Sequence, residues 1–255
     1  MNERTLHERY HELHALRGEA LERYGRLPYP QTGGPPAKAY FPAIGRRLDP
    51  YKSVRFGPLV VSDYPPIVQV VLSEFARLPR PVRVLEIGPG RGALAALVRE
   101  RFPNVVTAYL GMELDPHVEG PYARIARFDE IDKPVDVVIA SEVIEHIPAE
   151  AFYADYLRPL ARILAPDALL LASIPNPLAP GGIVRDFTHV QNYPWYDLYA
   201  LLRLAFERVE ITKTHYICNA SRFFGLLPRM LLTSLQELDW TEGLIAIARR
   251  PIPPV

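Results

Sequence analysis

The octapeptide at 141–148, Ser-Glu-Val-Ile-Glu-His-Ile-Pro, places two carboxylates and an imidazole among mostly apolar neighbours. On a helical path Glu142, Glu145 and His146 would be positions i, i+3 and i+4 and would share one face. Three interpretations fit: a helix start capped by local hydrogen bonds, a catalytic face with His146 as general base, and part of a divalent-metal site. The octapeptide alone does not choose among them.

A metal site would also need a ligand from another part of the chain. His189, in the segment 185–193, is the candidate. Mixed carboxylate and imidazole ligation suits Mg²⁺, Mn²⁺ or Zn²⁺ without choosing among them. The same histidine is equally consistent with a second base or with a loop residue that caps the following helix. We therefore take Glu142, His146 and His189 as candidate catalytic residues, and the metal, if there is one, is unknown.

Strands and helices that alternate along the chain must position these residues. Apolar runs typical of buried strands are separated by stretches with a period of about 3.6 residues. This alternation predicts parallel strands with helices on both faces, an α/β doubly wound sheet. The predicted strands are 82–87, 105–114, 123–128, 135–141, 168–175, 207–214 and 243–250. The predicted helices are 3–24, 62–78, 91–102, 149–164 and 195–206.

The first of these strands runs into three closely spaced glycines, Gly88, Gly90 and Gly92. In a doubly wound sheet, ligands bind outside the carboxyl ends of the strands. Glycines there let a ligand approach the backbone, and the following helix offers unpaired N–H groups. A dinucleotide site has similar spacing, and Ala93, three residues after Gly90, is a residue that some such sites allow. The glycines alone therefore do not separate a dinucleotide from another nucleoside.

Two carboxylates bear on that choice. Glu86 lies two residues before Gly88, where a pyrophosphate would meet an added negative charge, whereas a ligand with an ammonium group would be favoured. Glu113 ends the second predicted strand, placed to accept hydrogen bonds from two ribose hydroxyls. Both features indicate a nucleoside with a zwitterionic amino-acid tail and no phosphate.

Three motifs in chain order, VLEIGPGRGALA, YLGMELDP and DVVIASEVIEHIP, resemble the successive motifs of class I S-adenosylmethionine-dependent methyltransferases. The resemblance covers roughly residues 62–250, and the EVIEH pattern is similar to that of many small-molecule and quinone-type methyltransferases. It implies a Rossmann-like sheet of seven strands, mostly parallel with an antiparallel last strand. It also implies S-adenosylmethionine as cofactor.

The same resemblance implies which residues bind the cofactor. The first strand end would hold the methionine moiety and the second the ribose, while residues after the third strand would flank the adenine and one after the fourth would line the pocket. In chain order these residues are Glu86, Gly88, Pro89, Gly90, Glu113, Leu114, Phe128, Asp129 and Ser141. The segment between the second and third strands is shorter than usual and barely has room for the customary helix.

Composition bounds the class of protein. The 255 residues include 29 Lys plus Arg and 29 Asp plus Glu, so no overall field attracts nucleic acid or anionic lipid, and nucleic-acid partners are disfavoured. Cys218 is the single cysteine, which excludes an internal disulfide. No apolar run reaches the ~18 residues of a membrane helix, and the charged N-terminus lacks a signal region. We expect a cytoplasmic protein without a membrane span.

Two segments exceed the core of the predicted fold. Residues 1–61 combine an amphipathic helix with a Pro-rich extension, and an insert at about 215–242 precedes the last strand. Both contain aromatic and apolar residues, so a lid over the methyl-transfer pocket, a homodimer contact and ordinary core all remain open. The expected organisation is an N-terminal extension at 1–61 and a methyltransferase domain at 62–255.

The resemblance predicts an enzyme that transfers a methyl group to oxygen or nitrogen of a small, neutral molecule, with His146 or His189 removing a proton. Three alternatives remain open. The first is a metal-assisted RNA ribose 2′-O-methyltransferase, because the small-RNA 3′-terminal enzymes have a similar Glu-x-x-Glu-His pattern with a later histidine. The others are a non-catalytic cofactor-binding module and a nicotinamide-dependent enzyme.

Overall fold

The structure is a computed structural model, and it describes residues 5–24, 38–40, 54–56, 59–61, 66–178, 188–216 and 243–253. Cys218 and most of the predicted insert lie outside the described residues. Within them, the strands form one sheet. They are β1 Lys38–Tyr40, β2 Val54–Phe56, β3 Leu59–Val61, β4 Val82–Ile87, β5 Val106–Met112, β6 Ala123–Ile125, β7 Val135–Ser141, β8 Leu164–Pro175, β9 Phe206–Tyr216 and β10 Gly243–Pro251.

Helices precede and connect these strands. They are α1 Tyr10–Tyr24, α2 Pro66–Phe75, α3 Ala93–Arg101, α4 Ala149–Ala151, α5 Arg158–Ile163 and α6 Trp195–Arg203. A π-helical turn at Phe152–Leu157 joins α4 to α5, so 149–163 is one continuous helical segment, close to the predicted 149–164. Short 3₁₀ turns lie at His7–Arg9, Phe128–Glu130 and Ile144–His146.

The sheet order is β2-β3-β1-β9-β10-β8-β7-β4-β5-β6. Its seven-stranded part from β9 to β6 confirms the predicted fold: the β4–β5, β4–β7, β5–β6 and β7–β8 pairs are parallel, and β10 is antiparallel to both neighbours. From β4 the chain moves outward through β5 and β6 and then returns to place β7 on the other side. This reversal puts the topological switch point between β4 and β7.

Three short strands, β1 to β3, extend the sheet beyond β9. They lie in a Pro-rich region for which the sequence analysis predicted no regular element. Each has three residues, which is too short for an alternating apolar pattern to be recognised. Their strand conformation depends on pairing with a neighbour, and β1 pairs in parallel with β9.

The core lies on both faces of the central strands. On β4, Val82 and Val84 face the layer formed by α2 and α3, whereas Leu85 and Ile87 face the layer that contains α6 and the helical segment 149–163. Burial on both faces explains why these strands read as continuous apolar runs rather than alternating ones. The rigid, two-sided sheet fixes where each strand ends, and those ends carry the candidate site.

The connection from β5 to β6 has no helix. Residues 113–122 pass through turns and bends instead, although parallel strands are usually joined by a crossover of a dozen or more residues that contains a helix. The third strand is also shorter than the predicted 123–128: it ends at Ile125, and Phe128 lies in a separate 3₁₀ turn.

Candidate active site

The glycine loop, residues 88–92, connects β4 to α3. Gly88, Gly90 and Gly92 all have positive φ, a conformation that other residues adopt at a cost. A Cβ atom at Gly88 would lie 2.4 Å from Cγ2 of Val143, so the backbone there packs directly against the segment that follows β7. At Gly90 a Cβ would meet nothing within 4 Å. The open space beside Gly90 is where a ligand can approach the loop backbone.

The carboxylate of Glu113 bridges the ends of β4 and β5. Its Oε2 accepts a hydrogen bond from the Gly90 N–H (2.9 Å), and its Oε1 accepts one from the Asp115 N–H (3.0 Å). The next residue, Leu114, is 81% exposed. A half-buried carboxylate beside an accessible apolar side chain fits a ribose diol and an attached base.

Glu86 is buried in the protein, whereas its position before the glycine loop predicted a carboxylate that faces a ligand. It is only 4% exposed, and its Oε2 accepts a 2.6 Å hydrogen bond from the Tyr109 hydroxyl. Burial raises the pKa of Glu86 to about 7, although the bond from Tyr109 opposes that rise. Glu86 therefore lies in the interface between the sheet and its helices and titrates near neutrality. The sequence analysis missed Tyr109; its signal is a phenol in a buried strand, which needs a polar partner.

The residues after β6 and β7 that were assigned to the cofactor are spread over the carboxyl edge. Phe128 is half-buried, and its ring contacts that of Tyr156 edge-on at 6.0 Å. Asp129 is exposed and bonded to Arg127, which holds the pKa of Asp129 below its usual range. The Ser141 hydroxyl lies 3.3 Å from that of Ser173 on the adjacent strand.

The helical path considered for Glu142, Glu145 and His146 does not form, so the three side chains do not share a helical face. Glu142 has φ of 53° and follows β7 directly, with its N–H donating to the Ser173 carbonyl. Only Ile144–His146 is helical, as one 3₁₀ turn. A left-handed residue at the strand end redirects the chain, and residue spacing does not reveal it. Although Glu142 is accessible, surrounding protein groups desolvate its carboxyl and raise its pKa.

His189 lies 43 residues beyond His146 in the chain and comes next to the octapeptide in the fold. Glu145, His146 and His189, here called the Glu–His–His cluster, each offer one ligand atom within 4.8 Å of the others. Glu145 is 4% exposed, and its Oε1 lies 3.9 Å from Nε2 of His189. The two imidazoles meet edge to face with their centroids 4.9 Å apart. Glu142 is not a member of this cluster.

Backbone hydrogen bonds hold the cluster together. The N–H groups of Val190 and Gln191 both donate to the Glu145 carbonyl, at 3.0 and 3.1 Å. Nδ1 of His146 lies 3.0 Å from the Thr188 carbonyl. Because a carbonyl oxygen only accepts, Nδ1 carries the proton of neutral His146 and Nε2 keeps a lone pair. His146 is therefore oriented to accept a proton or bind a cation through Nε2.

The N-terminal helix α1 packs against α6 on one side of this region. Arg17 pairs with Asp197 at 3.2 Å and lies over the Tyr196 ring at 4.5 Å. A cavity of about 230 Å³ lies between α1, α6 and the segment after His189, and Gln191 forms part of its wall. Gln191 also donates to the Glu145 carbonyl, so this cavity and the Glu–His–His cluster share a wall. Among the described residues, the helices lack the length and hydropathy that a membrane-spanning helix requires.

The family of the chain follows from a match to the family model described as a methyltransferase domain. The match covers residues 63–226, more than half of the chain, and includes the glycine loop, Glu113 and the Glu–His–His cluster. The chain belongs to this methyltransferase family. It is an S-adenosylmethionine-dependent methyltransferase, and S-adenosylmethionine is its cofactor.

The structure is similar to solved methyltransferases, and the one with a TM-score above 0.5 supports the fold. An S-adenosylmethionine-dependent methyltransferase from Archaeoglobus fulgidus is 17% identical, with a TM-score of 0.53 over 72% of this chain and 93% of that one. A second, from Mesorhizobium loti, is 20% identical, with a TM-score of 0.43 over 72% and 98%. Phosphoethanolamine N-methyltransferase 2 from Haemonchus contortus, solved with S-adenosylmethionine, is 15% identical, with a TM-score of 0.46 over 72% and 52%. No curated protein matches the sequence.

Proposed function

We propose that this methyltransferase transfers the methyl group to an oxygen or nitrogen atom of a small molecule, with His146 as the base. The orientation of His146 is the observation that carries the proposal: Nδ1 is committed to the Thr188 carbonyl, which leaves Nε2 to accept a proton. The Glu–His–His cluster follows β7, next to the switch point, and Val143 packs on Gly88 of the glycine loop. Acceptor and cofactor would therefore meet between two adjacent strand ends.

The cofactor fits the carboxyl edge of β4 and β5. The open side of Gly90 would admit the methionine moiety, Glu113 would accept hydrogen bonds from the ribose hydroxyls, and the exposed Leu114 would contact the adenine. Ionised Glu86 would complement the cofactor ammonium group. When bound, S-adenosylmethionine supplies an electrophilic methyl carbon on a sulfonium sulfur.

The residues of this chain then align and deprotonate the acceptor. Alignment is the larger contribution, because methyl transfer is a direct displacement. The bound cofactor would supply the methyl group to the acceptor lone pair and keep the bonding electron pair on its sulfur, while the residues of this chain hold the acceptor in line with it. The proton of the acceptor goes to Nε2 of His146, and His189, whose ring centroid is 4.9 Å away, is the second candidate base. Glu142 and Glu145 would stabilise the imidazolium that results.

The cavity beside α1 is the proposed acceptor side of the site. It adjoins the Glu–His–His cluster through Gln191. Its wall combines leucines of α1 and α6 and the rings of Tyr10 and Tyr193 with polar side chains, a mixture typical of small-molecule sites. The N-terminal extension would then act as a lid that excludes water from the acceptor.

Turnover with defined acceptors tests the proposal. The purified protein is incubated with S-adenosylmethionine and separate panels of phenols, carboxylic acids, amines and short RNAs, and formation of S-adenosylhomocysteine is measured against a blank without acceptor. We expect turnover with at least one panel and its loss in His146→Ala. Turnover that His146→Ala leaves unchanged would refute the role of His146. Methylation of short RNA alone would refute a small-molecule acceptor.

The Glu–His–His cluster supports a second candidate function, metal-assisted methylation, including that of RNA ribose. A buried carboxylate and two imidazoles, one of them oriented by a backbone carbonyl, are a suitable donor set for a divalent cation. The cation would lower the pKa of an acceptor hydroxyl. Metal content of the purified protein, and turnover of RNA and small molecules with and without EDTA, separate this candidate from the first.

A further inference from the structure

Tyr122 lies at the end of the helix-free connection between β5 and β6, and its ring packs against glycine backbone. A Cβ atom at Gly111, near the carboxyl end of β5, would lie 2.2 Å from Cδ2 of the Tyr122 ring, and one at Gly120 would lie 2.2 Å from Cε1. The nearest ring atom to a Cβ at Gly92, in the glycine loop, would be 3.0 Å away. The ring therefore lies directly on backbone at three glycines, from the strand to the glycine loop.

The hydroxyl of Tyr122 reaches Gly90, the one of the three loop glycines whose Cβ position is open. It donates a 2.7 Å hydrogen bond to the Gly90 carbonyl. The Gly90 N–H donates a hydrogen bond of 2.9 Å to the Glu113 carboxylate. Both polar backbone groups of Gly90 are thus held by side chains from one short connection. Glycine has no Cβ to restrict its backbone, so these two bonds fix how its N–H and carbonyl point.

The connection that carries Tyr122 is itself tied down. Arg124 donates to three carbonyls within it, those of Glu113 (2.6 Å), Asp115 (2.7 Å) and Val118 (3.0 Å). Arg99, on α3, donates to the Pro121 carbonyl at 2.9 Å. These bonds replace the internal hydrogen bonds of the absent helix, so Tyr122 is presented from a fixed backbone.

We propose that Tyr122 is a positioning residue for cofactor binding. It orients the backbone of Gly90, so that the glycine loop and Glu113 are ready to bind the cofactor. The inference rests on the proposed contacts of Gly90 and Glu113 with the cofactor. A loop held in its binding conformation before the ligand arrives costs less to order on binding, so affinity rises. In this protein one side chain, presented from the helix-free connection between β5 and β6, performs that task.

Tyr122→Phe tests the proposal because it keeps the ring on the three glycines and removes only the hydroxyl. We expect the affinity for S-adenosylhomocysteine, measured by calorimetry, to fall about fivefold, as for one lost hydrogen bond. The KM for S-adenosylmethionine should rise by a similar factor, while kcat and the KM for the acceptor stay unchanged. The control is Tyr199→Phe, which removes a hydroxyl that bonds Glu19 at 2.7 Å between α6 and α1. It should leave affinity for S-adenosylhomocysteine unchanged.

Glu113→Ala and the double variant with Tyr122→Phe distinguish failure of the Tyr122 proposal from failure of the proposed cofactor contacts. If both hydroxyl and carboxylate hold the Gly90 peptide, Tyr122→Phe should weaken binding less in the Glu113→Ala background than in the wild type. Wild-type affinity in Tyr122→Phe, with weakened binding in Glu113→Ala, would overturn the role of Tyr122 alone. Wild-type affinity in both would overturn the proposed cofactor contacts. A fall in Tm without a fall in affinity would make Tyr122 purely structural and would also overturn the proposal.

Discussion

Replacement of Glu86 by Gln should stabilise the fold and weaken the cofactor site. In the folded protein the buried Glu86 has a pKa of about 7, against an ordinary value of 4.5. Between these values the folded protein keeps a proton that the unfolded chain has released. The stability that the neutral carboxyl contributes is therefore complete below pH 4.5 and is lost as pH rises through 7. The difference between the two pKa values corresponds to a decrease in the free energy of unfolding of about 3 kcal/mol by pH 8.

Gln cannot ionise, so Glu86→Gln should escape that loss. Its amide oxygen can still accept the bond from Tyr109, while the added NH₂ group needs a partner of its own and reduces the gain. We expect the variant to be more stable than the wild type by about 1–3 kcal/mol at pH 8 and to show little or no advantage near pH 4.5. Urea unfolding at pH values from 4.5 to 8.5 measures the difference.

A matched control is Glu74→Gln, at another buried glutamate. Glu74 is paired with Arg249 at 2.7 Å and with Arg77 at 3.4 Å, so the same substitution should destabilise the protein, because it leaves the arginines without a charged partner. A Glu86→Gln variant that is less stable than the wild type at pH 8, or whose advantage does not grow with pH, would refute the argument from burial.

The cofactor side of this prediction follows from charge. If ionised Glu86 complements the ammonium group, wild-type affinity for S-adenosylhomocysteine should rise between pH 6 and pH 7.5, because binding must displace the proton from a group with a pKa of about 7. Glu86→Gln should bind more weakly at pH 8 and lose this pH dependence. Calorimetry at several pH values measures the affinity. If the affinity of both proteins depended on pH in the same way, Glu86 would not interact with the cofactor.

The remaining predictions concern three other positions. Glu113→Ala should weaken binding of S-adenosylhomocysteine by roughly 1–3 kcal/mol, as expected for hydrogen bonds to a charged group; calorimetry tests this. His146→Ala should lower kcat and leave that affinity unchanged, and a steady-state assay beside calorimetry tests the difference. Gly88→Ala should lower both Tm and affinity, because its Cβ would lie 2.4 Å from Val143 in a backbone conformation that alanine adopts at a cost. A thermal-shift assay tests it, with Val143→Ala expected to restore part of the loss.

The sequence by itself determined the central sheet and the family. Strands 82–87 and 135–141 were predicted with the observed bounds, because burial on both faces requires a continuous apolar run. The glycine loop and Glu113 were recognisable because positive φ and a strand-end carboxylate restrict the residue type locally. Such features are encoded in neighbouring residues, so sequence reasoning reaches them.

Only the tertiary structure decided how the site is assembled. Glu142 lies off any shared helical face because of its left-handed backbone. His189 is brought to the octapeptide because the N–H groups of the next two residues, Val190 and Gln191, donate to the Glu145 carbonyl. The buried state of Glu86 and the contact of Tyr122 with Gly90 depend on how β4 and β5 lie side by side. These relations join residues far apart in the chain, and no local pattern of size, charge or periodicity encodes them.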